Sequence, residues 1–331
     1  MKAIVARARG GPDVLEATTV PLTWPRGRRD VLVRLKAAAL NPADICFRQL
    51  GAHIESEAPL VLGHDGAGLV ESIGAGVRRF APGDEVCFCN GGIGGDLGTY
   101  AEFAVVPEAQ LVRKPSSVDF LQAAALPLVA ITIQEALYAR ARLRRGERVL
   151  IHAGAGGTGQ LAIQLARLVG AAVATTVSNS PKAELAAALG AERVINYREE
   201  DFVAAALAWT GGAGLDVALD NVGTETLQRT FRAMAPYGRI ATLMGTPGDD
   251  SQGSAYNGNL TIHNIMMLTP MWRGLTAHLT RQAKYVQKAI GWLAEGRLGV
   301  RIDRVFPLAE AAAAQRYLEQ GSAMGKVVLS I

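Results

Sequence analysis

The sequence predicts a mixed fold, α/β plus β, in which a β-rich domain is interrupted by an inserted, doubly wound parallel sheet. Three observations predict it. From about Arg148 to Leu268, short β-rich runs alternate with Ala- and Leu-rich helical stretches, as βαβ units do. Earlier, β-like runs such as AIVA, DVLVRLKAAAL and GAGLVESIG are broken by Gly10, Gly11, Pro12, Pro59, Pro82 and Gly83, the punctuation of a compact β domain. After Met271 a helix, TRQAKYVQKAIGWLAEG, leads to a strand-like GKVVLSI, which is expected to rejoin the first domain. The expected boundaries are therefore 1–122 with 269–331 for the β-rich domain and 123–268 for the insertion.

The chain has 331 residues, enough for two domains of roughly 100–200 residues each. No continuous apolar run approaches the roughly 20 residues of a membrane span. The start, MKAIVARARGGPDVL, lacks the apolar segment and cleavage site of a secretory signal, so a cytoplasmic chain without a membrane partner is expected. Lys and Arg number 34 against 30 Asp and Glu, for a net charge of +4. Arg is spread along the chain and aromatic residues are few, so no nucleic-acid partner is expected. Cys46, Cys87 and Cys89 are too few for a disulfide framework and lack zinc-finger spacing.

The insertion begins with RVLIHA followed by HAGAGGTGQLAIQLA. Here Gly154, Gly156 and Gly159 satisfy G-x-G-x-x-G between a strand and a helix, the context that makes this motif a dinucleotide site. Gly154 permits the tight turn, Gly156 lets a pyrophosphate approach the backbone, and Gly159 lets the helix pack on the strand. The helix N-terminus at Gly157 and Thr158 offers N–H groups to the anion. The second strand, AAVATTV, ends in Ser178, Asn179 and Ser180. It lacks the acidic residue that would bind an NAD ribose. With Lys182 one helical turn on, the expected cofactor is NADPH. Asn221 and Gly245 follow the β-like runs LDVALD and GRIATLM, and ligands bind at such strand ends.

The runs LNPADICFRQLG, VLGHDGAGLVESIGAGVRRFAPGDEV, GTYAEFAVVPEAQLVRKP, VINYREEDF, LDNVG and GKVVLSI extend the pattern over nearly the whole chain. With them the sequence resembles the zinc-independent quinone oxidoreductases of the medium-chain dehydrogenase/reductase superfamily. The resemblance implies a GroES-like β-barrel catalytic domain, an inserted Rossmann domain, and a nicotinamide site in the cleft between them. It also implies a homodimer paired through the Rossmann sheets, with NLTIHNIMML as the edge strand. By the same likeness Asn41 lies near the nicotinamide ribose, Asp44 in the pocket wall, Thr132 near the nicotinamide, and Tyr197 at the adenosine phosphate. Arg48 is either an acceptor-site cation or a partner for Asp44, and Lys326 is a cofactor contact. An Asx-type cap at Asn41-Pro42 is the competing account of Asn41.

Zinc-dependent relatives in that superfamily use two cysteines and a histidine. Here Asn41 and Leu128 stand in the cysteine places, and only His64 remains, beside Asp65. One His and one Asp fall two short of the four ligands zinc prefers unless Cys46 or His53 is recruited, so no metal is expected, and His64 reads as a satisfied polar residue lining the cleft. His53 is a proton-donor candidate, since imidazole titrates near working pH, or equally an exposed loop residue. Cys46 reads as a small buried hydrophobe. The expected activity is NADPH-dependent hydride transfer to a small-molecule quinone or similar activated carbonyl, without metal or flavin. An enone reductase, a zinc alcohol dehydrogenase and a non-catalytic NADPH- or RNA-binding relative are the alternatives.

Overall fold

The computed structural model describes residues 1–22, 24–25, 27–50, 60–92, 97–245 and 253–331. The chain forms two compact units, residues 1–131 with 268–331 and residues 132–267. Set against the boundaries expected from sequence, the first seam falls inside a helix and the second between Met267 and Leu268.

The first unit opens with strands β1 (Lys2–Ala6), β2 (Leu15–Thr19), β3 (Asp30–Ala39), β4 (Leu60–Val61), β5 (Asp65–Ile73), β6 (Glu85–Cys89), β7 (Phe103–Pro107) and β8 (Val112–Arg113). Strand β3 is central, and among its residues only Arg34 and Lys36 are exposed. It pairs antiparallel with β5 along nearly all its length and with β7 over its first half. Val31, Val33, Leu35, Val86, Phe88 and Val106 close the core between these strands. Each fully buried side chain of this kind contributes about 1.5–3 kcal/mol.

Between β3 and β4 lies α1 (Pro42–Leu50), begun by a proline whose missing N–H costs a helix start nothing. After β8 come α2 (Phe120–Ala125), where the Asp119 carboxylate accepts from Gln122 N at 2.7 Å, and α3 (Pro127–Ile133). Helix α3 runs into a π-helical turn, Gln134–Arg140. This corrects the reading that no apolar run approaches membrane length. The helical stretch Phe120–Arg140 has 21 residues and a mean hydropathy of 1.5, long and apolar enough to cross a bilayer. It is instead a core element, with 72% of its most apolar window buried in protein.

The second unit contains β9 (Arg148–Ile151), α4 (Gly157–Val169), β10 (Ala172–Val177), α5 (Ser180–Ala188), β11 (Arg193–Asn196), α6 (Phe202–Trp209), β12 (Leu215–Asp220), α7 (Thr224–Phe231), β13 (Met234–Thr242), α8 (Ser254–Asn257) and β14 (Thr261–Asn264). The six strands form one sheet in the order β11-β10-β9-β12-β13-β14, and every pair in it is parallel. This is the Rossmann doubly wound order. The chain reverses its direction of travel at β9 and β12, so their carboxyl ends form the switch point where such sheets bind ligands.

The chain then returns to the first unit through α9 (Thr269–Trp272), α10 (Thr276–Ala294), β15 (Ile302–Pro307), α11 (Ala311–Glu319) and β16 (Lys326–Ser330). Strand β16 pairs parallel with β15 and antiparallel with β3. The run GKVVLSI thus rejoins the GroES-like β-barrel, as expected.

Candidate functional site

At the switch point the motif glycines differ in the room around them. A Cβ on Gly154 would lie 2.1 Å from Thr175 Oγ1, and one on Gly159 would lie 2.2 Å from the Ala153 carbonyl oxygen. A Cβ on Gly156 would meet nothing closer than 3.4 Å. Gly154 and Gly159 are therefore needed by the fold, whereas Gly156 keeps a surface clear. Gly156 is also the N-cap of α4 and supplies no side-chain acceptor to the first turn, where Gly157 and Thr158 lie. Helix starts leave their first N–H groups without intrahelical partners, and an anion satisfies them.

Beyond β12, the Asp220 carboxylate shapes the turn by accepting from Val222 N at 3.0 Å, Gly223 N at 2.9 Å and the Thr242 hydroxyl at 2.7 Å. Asn221 Nδ2 donates to His152 O at 2.8 Å, joining the ends of β9 and β12. Its Oδ1 is buried with no hydrogen-bond partner among the described residues. Gly245 has φ +92 and open space where a side chain would be. Thr132 is a buried residue of α3. At the end of β10, Ser178 is half-buried and Asn179 caps α5 by accepting from Lys182 N at 3.0 Å. Tyr197, 53% exposed, donates its backbone N–H to Val177 O at 3.1 Å. The ends of β10 and β11 thus lie together, and no carboxylate occurs from Ser178 to Lys182.

Sequence reasoning passed over His152. Its ring is buried between the hydroxyls of Thr176, 3.1 Å from Nδ1, and Thr230, 2.9 Å from Nε2. Burial pushes its pKa down to about 4, so the ring is neutral.

In the first unit, Asn41 and Asp44 flank the start of α1. Asp44 Oδ2 accepts from Asn41 N at 2.8 Å. The Asn41 side chain is not an Asx cap, because Nδ2 donates to Asp65 Oδ2 at 2.9 Å while Oδ1 accepts from Lys326 Nζ at 2.6 Å. Lys326 also donates to Leu40 O at 3.0 Å and lies 3.6 Å from Asp65, so both of these hydrogen bonds stay inside the unit. Burial raises the Asp65 carboxyl above its ordinary range, against the opposing pull of Lys326, Asn41 and the Leu128 N–H.

Asp44 Oδ1 holds His64 Nδ1 at 2.6 Å, and Oδ2 accepts from the Tyr100 hydroxyl at 3.1 Å. His64 is not fully satisfied, contrary to its sequence reading. Its Nε2 is buried without a hydrogen-bond partner among the described residues.

Two further sequence readings are settled differently, and a third is not reached. Arg48 is not a partner of Asp44: its guanidinium donates to Gly10 O at 2.9 Å, Gln315 Oε1 at 2.6 Å and the Glu319 carboxylate, which clamps α1 to α11. Cys46 is exposed rather than buried, because it lies on the opposite face of α1 from Phe47 and Asp44. His53 lies outside the described residues.

Among the described residues, those around Asp65 do not fit a zinc ion. No group of three His, Cys, Asp or Glu that could hold a metal occurs among the described residues. Both Asp65 oxygens accept protein N–H groups, from Leu128 and Asn41, and the Lys326 ammonium lies beside them.

The family model described as alcohol dehydrogenase GroES-like domain matches residues 27–116, and the one described as zinc-binding dehydrogenase matches residues 189–329. A quinone oxidoreductase of Pseudomonas aeruginosa is 35% identical over 99% of both chains. A 2-haloacrylate reductase of Burkholderia is 32% identical, covering 99% of this chain and 98% of its own. The crystal structure of Escherichia coli quinone oxidoreductase complexed with NADPH superposes with a TM-score of 0.89 at 28% identity, covering all of both chains.

Proposed function

The chain belongs to the quinone oxidoreductase family of the medium-chain dehydrogenase/reductase superfamily, and from that premise we propose that it passes hydride from NADPH to a quinone or similarly activated carbonyl, without zinc or flavin. The coarser activity, an NAD(P)-dependent oxidoreductase acting on a small molecule, comes with the family. The observation that carries the cofactor choice is the uncapped start of α4 beside a β10 end that lacks a carboxylate and is followed by Lys182.

In this reading the N–H groups around Gly154, Gly156, Gly157, Thr158 and Gly159 hold the pyrophosphate. Ser178, Lys182 and Tyr197 hold the 2′-phosphate end, and Asn221, Gly245 and Thr132 hold the nicotinamide end. The bound dinucleotide supplies the electron pair as hydride. A quinone accepts that pair readily, and the chain need only orient the partners and exclude water. Asn41 is a positioning residue, its amide pinned between Lys326 and Asp65. The engaged Asp65 oxygens support the zinc-free reading. Strand β14, terminal in its sheet, is the proposed pairing edge of a homodimer.

The test is oxidation of NADPH and of NADH by EDTA-treated protein against quinones, enones and alcohol–aldehyde pairs. NADPH-specific quinone turnover that survives EDTA is expected, and EDTA-sensitive alcohol oxidation would overturn the zinc-free reading. Ser178→Asp, which places a carboxylate at the end of β10, is expected to shift preference toward NADH by about tenfold or more. Enone reduction is a second reading, favoured by the unpartnered Nε2 of His64 and by the likeness to a 2-haloacrylate reductase.

A further inference from the structure

The first unit holds a buried polar cluster that hydride positioning does not require. Arg48 donates to Gln315, which approaches the Tyr100 hydroxyl at 3.5 Å. Tyr100 donates to Asp44, and Asp44 holds His64 Nδ1. Two of these links join residues more than 200 positions apart, so the cluster is assembled only by the finished unit.

The chain of bonds ends at an atom without a partner. A carboxylate against Nδ1 places a proton on that nitrogen and turns the ring's chemistry over to Nε2. That nitrogen is buried and unpartnered among the described residues, as is Oγ1 of Thr99. The two residues are neighbours through the backbone, where Thr99 N donates to Gly63 O at 3.0 Å. Buried polar atoms in native proteins ordinarily have partners, so the open His64 Nε2 points to a ligand that fills it; the Thr99 hydroxyl packs against Gly63. An aromatic path reaches the same place. The Phe47 ring lies 5.4 Å from the His64 ring and 6.3 Å from that of Trp272, which is 36% exposed.

We propose that, in the enone reduction of the second reading above, His64 is the proton donor and Asp44 its positioning carboxylate. The proposal rests on the reductase reading above and deepens it. A quinone can take its protons from water, whereas a conjugated enone or acrylate must be protonated on carbon. Hydride adds to Cβ, the alkene π pair moves to form an enolate, and Cα takes the proton from Nε2. The C=C bond is reduced, the dinucleotide is oxidised, and the neutral imidazole recovers its proton from solvent. Asp44 fixes the ring through Nδ1 so that one face of the enolate is addressed.

The decisive experiment reduces an α-methyl-substituted cyclic enone with NADPH in deuterium oxide and measures the configuration at Cα by NMR and chiral chromatography. The wild-type enzyme is expected to place deuterium on a single face. His64→Gln is expected to lower enone kcat by about 100-fold or more and to give racemic Cα, with NADPH affinity retained and a much smaller loss of quinone turnover. Asp44→Asn is expected to lower enone kcat with KM retained and to erode the stereochemistry. Racemic deuteration by the wild type, or equal losses of enone and quinone turnover in His64→Gln, would overturn the assignment. Racemic deuteration by the wild type overturns the assignment even if a variant fails to fold. Failure to oxidise NADPH with any acceptor would instead sink the reductase reading together with the assignment.

Discussion

His152 and Lys326 show how single buried groups set the molecule's response to pH. The His152 pKa lies near 4 in the fold against 6.5 in the open chain, because burial disfavours the charged ring. The unfolded chain therefore binds this proton more tightly, and the stability present above pH 6.5 is lost as the pH falls toward 4. The loss is about 3 kcal/mol. Urea unfolding at pH 7, 5.5 and 4 should show this slope, and His152→Gln should remove it. Lys326→Met strands the buried Asp65 carboxylate and is expected to cost about 3–5 kcal/mol at pH 8. The Asp65 pKa is already raised in the fold, so stability falls as pH rises from 3.8 through the folded value. The same urea series should find the Lys326→Met deficit smaller in acid.

At this scale the sequence was legible in part. LNPADICF marked Asn41 and Asp44 as polar residues at a helix start. Their partners His64, Tyr100 and Lys326 come from strands and loops far along the chain, which spacing cannot reveal. Arg48 was misread for the same reason: its carboxylate, Glu319, is 271 residues away.

The elements themselves were more legible, because strand and helix periods are local. The glycine motif was placed correctly between β9 and α4, and the structure separates the demands on its members. Gly159→Ala drives a methyl into the Ala153 carbonyl and should destabilise the protein by about 1–3 kcal/mol. Gly156→Ala meets no such obstacle, so it should leave the melting temperature unchanged yet weaken NADPH binding by about tenfold or more, read by fluorescence titration. Equal stability losses in the two variants would refute this division of labour. The helical stretch Phe120–Arg140 was less legible. Leu126 and Pro127 interrupt its helical reading, and Tyr138 donates its hydroxyl to Leu165 O at 2.8 Å, a contact no local window contains.

For the whole molecule, alternating β and α signals disclosed an insertion inside a β-rich domain, and the return of β16 to β3 bears this out. The residues that seam the units were harder to place, since the helical stretch continues across the first division. A ligand that binds only the folded second unit adds stability by mass action. NADPH at about 100 times its Kd should add about 2.7 kcal/mol. Calorimetry with and without NADPH would measure it, and an unchanged transition would count against the cofactor assignment.

The place of β16 also has a consequence in time. A ribosome releases β3 early, and at about 5–20 residues per second the strand that completes its pairing follows on the order of tens of seconds later. Throughout that interval every strand of the second unit's sheet has time to find its neighbours, while the end of β3, Ala37–Ala39, stays unpaired on the flank β16 will take. The nascent barrel then carries a short unpaired edge, Ala37–Ala39, that is closed only when GKVVLSI arrives.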